Sequence, residues 1–132
     1  MFKVVNQIEP STHRVGEISL NYQDIVNAIG EPEESDGYKV SGEWYFLNEE
    51  TGAVFTLYDW KSTSLYSDDL PSVGEFRSYT GNVQFNIGGT GNDDVDDFKQ
   101  KLIAQISWVK NGSKACEELL LEYSQPIIGR VK

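Results

Sequence analysis

The stretch from Tyr38 to Lys61, YKVSGEWYFLNEETGAVFTLYDWK, constrains the fold more than any other part of the chain. Its two arms alternate with period 2, the signature of strands whose two faces differ. Tyr38, Val40, Gly42, Trp44 and Phe46 share one face of the first arm, and Lys39, Ser41, Glu43, Tyr45 and Leu47 the other. In the second arm Val54, Thr56, Tyr58 and Trp60 fall together, opposite Phe55, Leu57, Asp59 and Lys61. The connection Asn48-Glu49-Glu50-Thr51-Gly52 is polar and ends on glycine, which accepts positive φ without a steric penalty. A five-residue loop sets Phe46 opposite Val54, Trp44 opposite Thr56 and Val40 opposite Trp60. One face then becomes an aromatic slab, with each cross-strand pair worth roughly 0.2–1 kcal/mol.

The same register sets Lys39 opposite Lys61 and Ser41 opposite Asp59. Directly opposed like charges are unfavourable. Either Asp59 and neighbouring carboxylates screen the two lysines, or an anion does; a slip of the register would remove the pairing altogether.

A chain of 132 residues suits one domain, 1–132, around one core. Mean hydropathy is −0.44, and no run approaches the roughly 20 apolar residues of a spanning helix, so no membrane association is expected. The start, Met-Phe-Lys-Val-Val-Asn, has neither the apolar core nor the cleavage site of a secretory signal. The single cysteine, Cys116, excludes an intramolecular disulfide and fits a reducing compartment. The 21 acidic and 11 basic residues give a formal charge of −10, which argues against direct binding to duplex nucleic acid. An acidic excess of this size keeps a protein soluble, matches a basic protein partner, or surrounds a small local basic site.

Along the chain, residues 2–5 read as a short strand and Asn6–Gly16 as an irregular segment carrying the only histidine, His13. Ser19 offers a helix N-cap, and Tyr22, Ile25, Val26 and Ile29 recur at helical spacing up to Gly30 and Pro32. Residues 31–37 form an acidic turn into the hairpin. Ser62–Gly74 has no clear period, and long loops of this kind are often functional. Glu75–Tyr79 and Val83–Ile87 read as two further strands around Thr80-Gly81-Asn82. Gly88-Gly89-Thr90-Gly91 lies between a strand and a helix, as phosphate-cradling loops do, but it matches neither the dinucleotide nor the Walker pattern, and Asp93, Asp94, Asp96 and Asp97 would repel an anion. Val95, Phe98, Leu102, Ile106 and Val109 mark a helix of about four turns. Ala115, Cys116, Leu119, Leu120 and Tyr123 mark a last helix, antiparallel to it. Ile127–Lys132 adds an edge strand or reaches a neighbouring subunit. The architecture expected is α+β: an antiparallel sheet of about four strands built on the long hairpin, packed against two C-terminal helices, with one N-terminal helix.

Catalytic groupings are scarce. One histidine and one cysteine meet no metal-ligand spacing, no nucleophile elbow or kinase signature is present, and no cofactor motif is complete. The expectation is a protein that is not an enzyme; a hydrolase working through a carboxylate such as Asp59 ranks last, since a general base needs a positioned partner. Binding chemistry is better represented. Tyr38, Trp44, Tyr45, Tyr58 and Trp60 offer flat rings, and Lys39, Lys61 and Arg77 offer cations nearby. Rings that stack on bases beside cations that meet phosphates make a nucleotide site. The plainer reading makes most of these rings core, Trp44 and Tyr58 first. The ligand-binding set is Lys39, Tyr58, Trp60, Lys61 and Arg77.

The segments GEP, YKVSGEWYF, FTLYDWKS and FNIGG resemble small proteins found widely in tailed bacteriophages, over roughly Gly30–Gly89, with Tyr58-Asp59-Trp60-Lys61-Ser62 the sharpest match. That resemblance implies an accessory protein acting in the host cytoplasm, in the manner of phage proteins that counter host defence by sequestering nucleotide messengers. It carries over no catalytic residues. The leading expectation is a non-catalytic sponge for a cyclic oligonucleotide signal, with a homo-oligomer contributing to the site. The alternative is an acidic inhibitor, a nucleic-acid mimic that binds a host defence nuclease or a CRISPR-type effector.

Overall fold

A computed structural model describes residues 2–6, 12–34, 40–60, 63, 65–90 and 95–110, together with the backbone of 127–128. Its centre is the expected hairpin: β4 (Gly42–Asn48) and β5 (Val54–Tyr58) pair antiparallel. The register differs by one residue from the expected one. Leu47 lies opposite Val54, Phe46 opposite Phe55, Trp44 opposite Leu57 and Glu43 opposite Tyr58.

The turn is the cause. Asn48 belongs to the strand rather than the loop: its N–H donates to the Ala53 carbonyl at 2.8 Å, and its own carbonyl accepts from the Gly52 N–H at 2.8 Å. The Asn48 side chain accepts from the Glu50 N–H at 3.0 Å, an Asx turn that holds the first corner. Four residues, Glu49–Gly52, then make the loop, with Gly52 at φ 77°. Shortening the loop by one turns every side chain of β5 to the other face. The aromatic slab therefore divides. Trp44 and Phe46 meet Phe55 and Leu57 in the core, while Tyr58 joins Glu43 and Tyr45 on the second face.

Around this hairpin the sheet runs β2-β6-β5-β4-β1-β7, with a short β3 also on β4. Here β1 is Phe2–Val5, β2 His13–Leu20, β3 Glu33–Glu34, β6 Val83–Gly89 and β7 Ile127–Ile128. Five strands, β2, β6, β5, β4 and β1, form an antiparallel body; β7 joins β1 in parallel at the edge. Residues 2–5 thus take the strand expected of them, and 127–128 the edge-strand alternative of the tail, whose remaining residues lie outside the described ones. Segment 13–16 departs from expectation: it belongs to an eight-residue strand held by β6, with a bulge between Arg14 and Gly16. Its partner is about seventy residues away, so local composition carried no sign of it.

Three helices among the described residues are α1 (Tyr22–Ile29), α2 (Val73–Ser78) and α3 (Val95–Lys110). Asn21 rather than Ser19 caps α1, accepting from the Asp24 N–H at 3.0 Å, because Ser19 is still in β2. Gly30 ends the helix at φ 97°, its N–H on the Val26 carbonyl. Glu75–Tyr79 is not a strand: Ser72 and Glu75 form a reciprocal capping box that starts α2. The expected last helix falls on residues 113–125, outside the described residues.

The helices cover one face of the sheet. Phe98 of α3 stacks on Phe55 at 4.7 Å between centroids and meets Phe46 edge-on at 4.8 Å. Tyr22, Trp44, Phe76 and Phe85 form a second knot of rings. Gln105, fully buried, donates to the Ala28 carbonyl at 3.1 Å and ties α3 to α1. No helix among the described residues is long and apolar enough to cross a membrane.

Candidate functional site

The hairpin's mouth is built around Asp59, which is 3% exposed. One carboxylate oxygen accepts from the N–H groups of Ser41 (2.9 Å) and Gly42 (3.2 Å), and the other from the Ser41 hydroxyl (2.5 Å). Burial pushes the Asp59 carboxyl up from its ordinary range, against the pull of those hydrogen bonds. Ser41 and Asp59 thus meet as the sequence implied, but through the side chain, in a clamp that fixes where the chain enters β4 and leaves β5. Both oxygens of Asp59 are engaged in that clamp, which ties it to the backbone of Ser41 and Gly42.

Beyond the clamp, Trp60 turns to the second face. It is 43% exposed and meets Tyr58 edge-on at 6.3 Å. Tyr58 lies directly opposite Glu43 on one side and Asn86 on the other. Burial raises the Tyr58 phenol; Arg14 and the Asn86 bond pull it down, and Glu43 pushes it up. One step along β4, the Tyr45 hydroxyl donates to Glu43 at 2.6 Å. Burial, that bond and the charges of Glu43 and Glu33 together push Tyr45 up to about 12. Glu33 stands opposite Glu43 across the β3–β4 pair. The row Glu33, Glu43, Tyr45, Tyr58 and Trp60 is therefore aromatic and acidic. Arg14, whose charge acts on Tyr58, is ion-paired with Glu17 at 2.9 Å, and Gln84 also donates to Glu17.

Arg77 lies elsewhere. It sits on α2, on the helix-covered face, with its guanidinium 5.2 Å from the centroid of the Tyr22 ring and one N–H donating to the Ser41 carbonyl at 3.3 Å. Its Nε and the Tyr22 hydroxyl are buried without a hydrogen-bond partner. Burial raises Tyr22 to about 12, with Arg77 pulling against it and Glu31 and Asp59 adding to the rise. The sheet therefore separates Arg77 from Tyr58 and Trp60, which the structure does bring together. Lys39 and Lys61 lie outside the described residues, as does their expected pairing.

Two further sequence expectations resolve here. Gly88 and Gly89 are β6 residues, not part of a phosphate loop, since both pair across to β5 and β2. Gly88 is required by close approach on the second face: a Cβ there would come within 2.7 Å of the Thr12 hydroxyl and nearer still to that of Thr56. His13 is an exposed β2 residue opposite Gly89. The pairing of Glu43 with Tyr58 escaped sequence reading because it depends on the one-residue register of the hairpin, and that of Asn86 because it comes from β6 on the other side of β5. Among the described residues, no group of three His, Cys, Asp or Glu side chains could hold a metal ion. The chain matches no protein-family model and none of the curated proteins compared with it.

Proposed function

We propose that the protein is a non-catalytic binding module that engages a basic protein surface, acting as an acidic inhibitor of a host defence nuclease or CRISPR-type effector. The observation that carries this reading is the setting of its accessible rings. Tyr58 and Trp60 sit with Glu43 and Glu33, and the arginine expected beside them is across the sheet with Tyr22 and Ser41. Such a surface attracts cationic side chains by charge and by ring quadrupole alike. The formal charge of −10 extends the same preference over longer range. The phage setting rests on the resemblance of the hairpin sequence.

A second reading, sequestration of a cyclic oligonucleotide, is favoured by the exposed Trp60 ring, which is available to stack on a base, and by Arg14 close enough to act on Tyr58. It requires Lys39 and Lys61 to supply the phosphate contacts. Titration calorimetry against cyclic di- and trinucleotides, run beside a low-salt pull-down from bacterial lysate, separates the two. Capture of a basic protein, weakening with salt, with no heat from any nucleotide, supports the first. Nucleotide heat lost on Trp60→Ala, with no basic protein captured, overturns it in favour of the second.

A further inference from the structure

Resting on that reading, we infer that Trp60, Leu65 and Tyr66, flanked by Asp68 and Asp69, form the surface that contacts the protein partner, and that the partner presents an apolar recess rimmed by basic side chains. Five large hydrophobic residues are exposed among the described residues, and three of them, at 43%, 40% and 37%, fall within seven consecutive positions. Tyr79 and Ile103 stand far away in sequence, on α2's end and on α3. Scattered exposed apolar residues are ordinary; grouped ones rich in Trp and Tyr mark contact surfaces.

The described positions of this stretch are also held. Asp59 anchors the chain just before Trp60, and Thr63, two positions before Leu65 in sequence, is 3% exposed. The Tyr66 N–H donates to the Thr63 carbonyl at 3.0 Å and the Leu70 N–H to the Ser67 carbonyl at 3.0 Å, two successive turns. The Ser67 hydroxyl accepts from the Asp69 N–H. A ring whose own backbone is already hydrogen-bonded, as at Tyr66, loses less conformational entropy on binding, which is what an anchor residue needs.

Charge selects the occupant. Asp68 and Asp69 are exposed next to the apolar residues and would rim the contact. Two copies of this chain, each at a formal charge of −10, repel one another, and neither brings a basic rim to meet Asp68 and Asp69. A nucleotide phosphate meets the same repulsion. A partner with Lys or Arg around an apolar recess gains on both terms.

Site-specific photo-crosslinking tests this. A benzophenone amino acid is placed singly at Leu65, Tyr66, Tyr79 or Ile103 of the full chain, irradiated in bacterial lysate, and adducts are identified by mass spectrometry. The expected result is one basic protein captured from positions 65 and 66 and not from 79 or 103. Its capture should fall about tenfold or more with Asp68→Lys/Asp69→Lys or with Trp60→Ala, at unchanged melting temperature. Capture of that basic protein only from 79 or 103 overturns the surface assignment while the acidic-binder reading stands. Absence of a basic protein from all four positions overturns both. Adducts at 65 and 66 with only another copy of this chain overturn the assignment of the occupant.

Discussion

Replacing Asp59 with alanine strips three accepted hydrogen bonds from the mouth of the central hairpin. The Ser41 hydroxyl can turn to water, since Ser41 is half-buried. The N–H groups of Ser41 and Gly42 have less freedom, and each buried donor left unpaired costs about 1–3 kcal/mol. Ser41 N–H is only partly buried and regains some hydration, so the loss is expected at about 3 kcal/mol near neutral pH, or roughly 10 °C in Tm for a domain of this size. Asp59→Asn keeps an oxygen for the two amides and avoids burying a charge, so it should fall within about 1 kcal/mol of wild type. Urea unfolding followed by tryptophan fluorescence measures both, with unchanged m required for the comparison. An alanine variant within about 0.5 kcal/mol of wild type would sink the clamp. The pH dependence supplies a second check. The folded-state pKa of Asp59 is raised above its ordinary value of 3.8, so the neutral acid is the form favoured by folding. The contribution is fully present below that ordinary value and is lost as pH rises through the folded pKa. The stability of wild type relative to Asp59→Asn should therefore increase as pH falls through that window toward 3.8; a decrease would refute the assignment.

Four further outcomes follow from the geometry. Gly88→Ala should destabilise by about 2–3 kcal/mol, since its methyl meets the Thr12 and Thr56 hydroxyls, and Thr56→Ala should recover part of that loss in a thermal-melt double-mutant cycle. Phe98→Ala removes the ring stacked on Phe55 and should cost about 3–5 kcal/mol by urea unfolding, with no effect if that stack is not the core. Ser72→Ala breaks the capping box of α2 and should cost about 1 kcal/mol, whereas a strand at 75–79 would be indifferent to it. Tyr22 and Tyr45, both pushed to about 12, should remain phenols at pH 11 in the folded protein and ionise in urea, seen as a rise in absorbance at the phenolate band. Their folded pKa values exceed the ordinary 10.0, so the stability they contribute is complete below pH 10 and is lost as pH rises through about 12.

How legible each element was depends on how local its cause is. Helix α3 was plain because Phe98, Leu102 and Ile106 repeat at helical spacing, and all three are buried. Helix α1 was placed by the same pattern, with only its cap misjudged. Strand β2 was missed because Pro10-Ser11-Thr12-His13 resembles a loop, and what extends it from His13 is pairing with β6. Helix α2 was mistaken for a strand although Ser72 and Glu75 already spelled its capping box; a single helical turn and a half carries too few residues for periodicity to decide. At the candidate site, Trp60 and Tyr58 were recognised as neighbours, and Arg77 was grouped with them on proximity that the sheet then interrupts.

The amino-acid sequence by itself determined the hairpin, the long helix, an α+β architecture and an acidic surface without a recognisable catalytic motif. Tertiary structure decided the register, and with it the company each ring keeps. Period-2 alternation is the same whichever residue stands opposite, so it says which side chains share a face of one strand but not which face of the next they join. That choice was made by the Asn48 backbone bonding to Ala53 and Gly52, and its side chain to Glu50. A loop one residue shorter sent Phe55 and Leu57 to the core and set Tyr58 beside Glu43, on the opposite side of the sheet from Arg77.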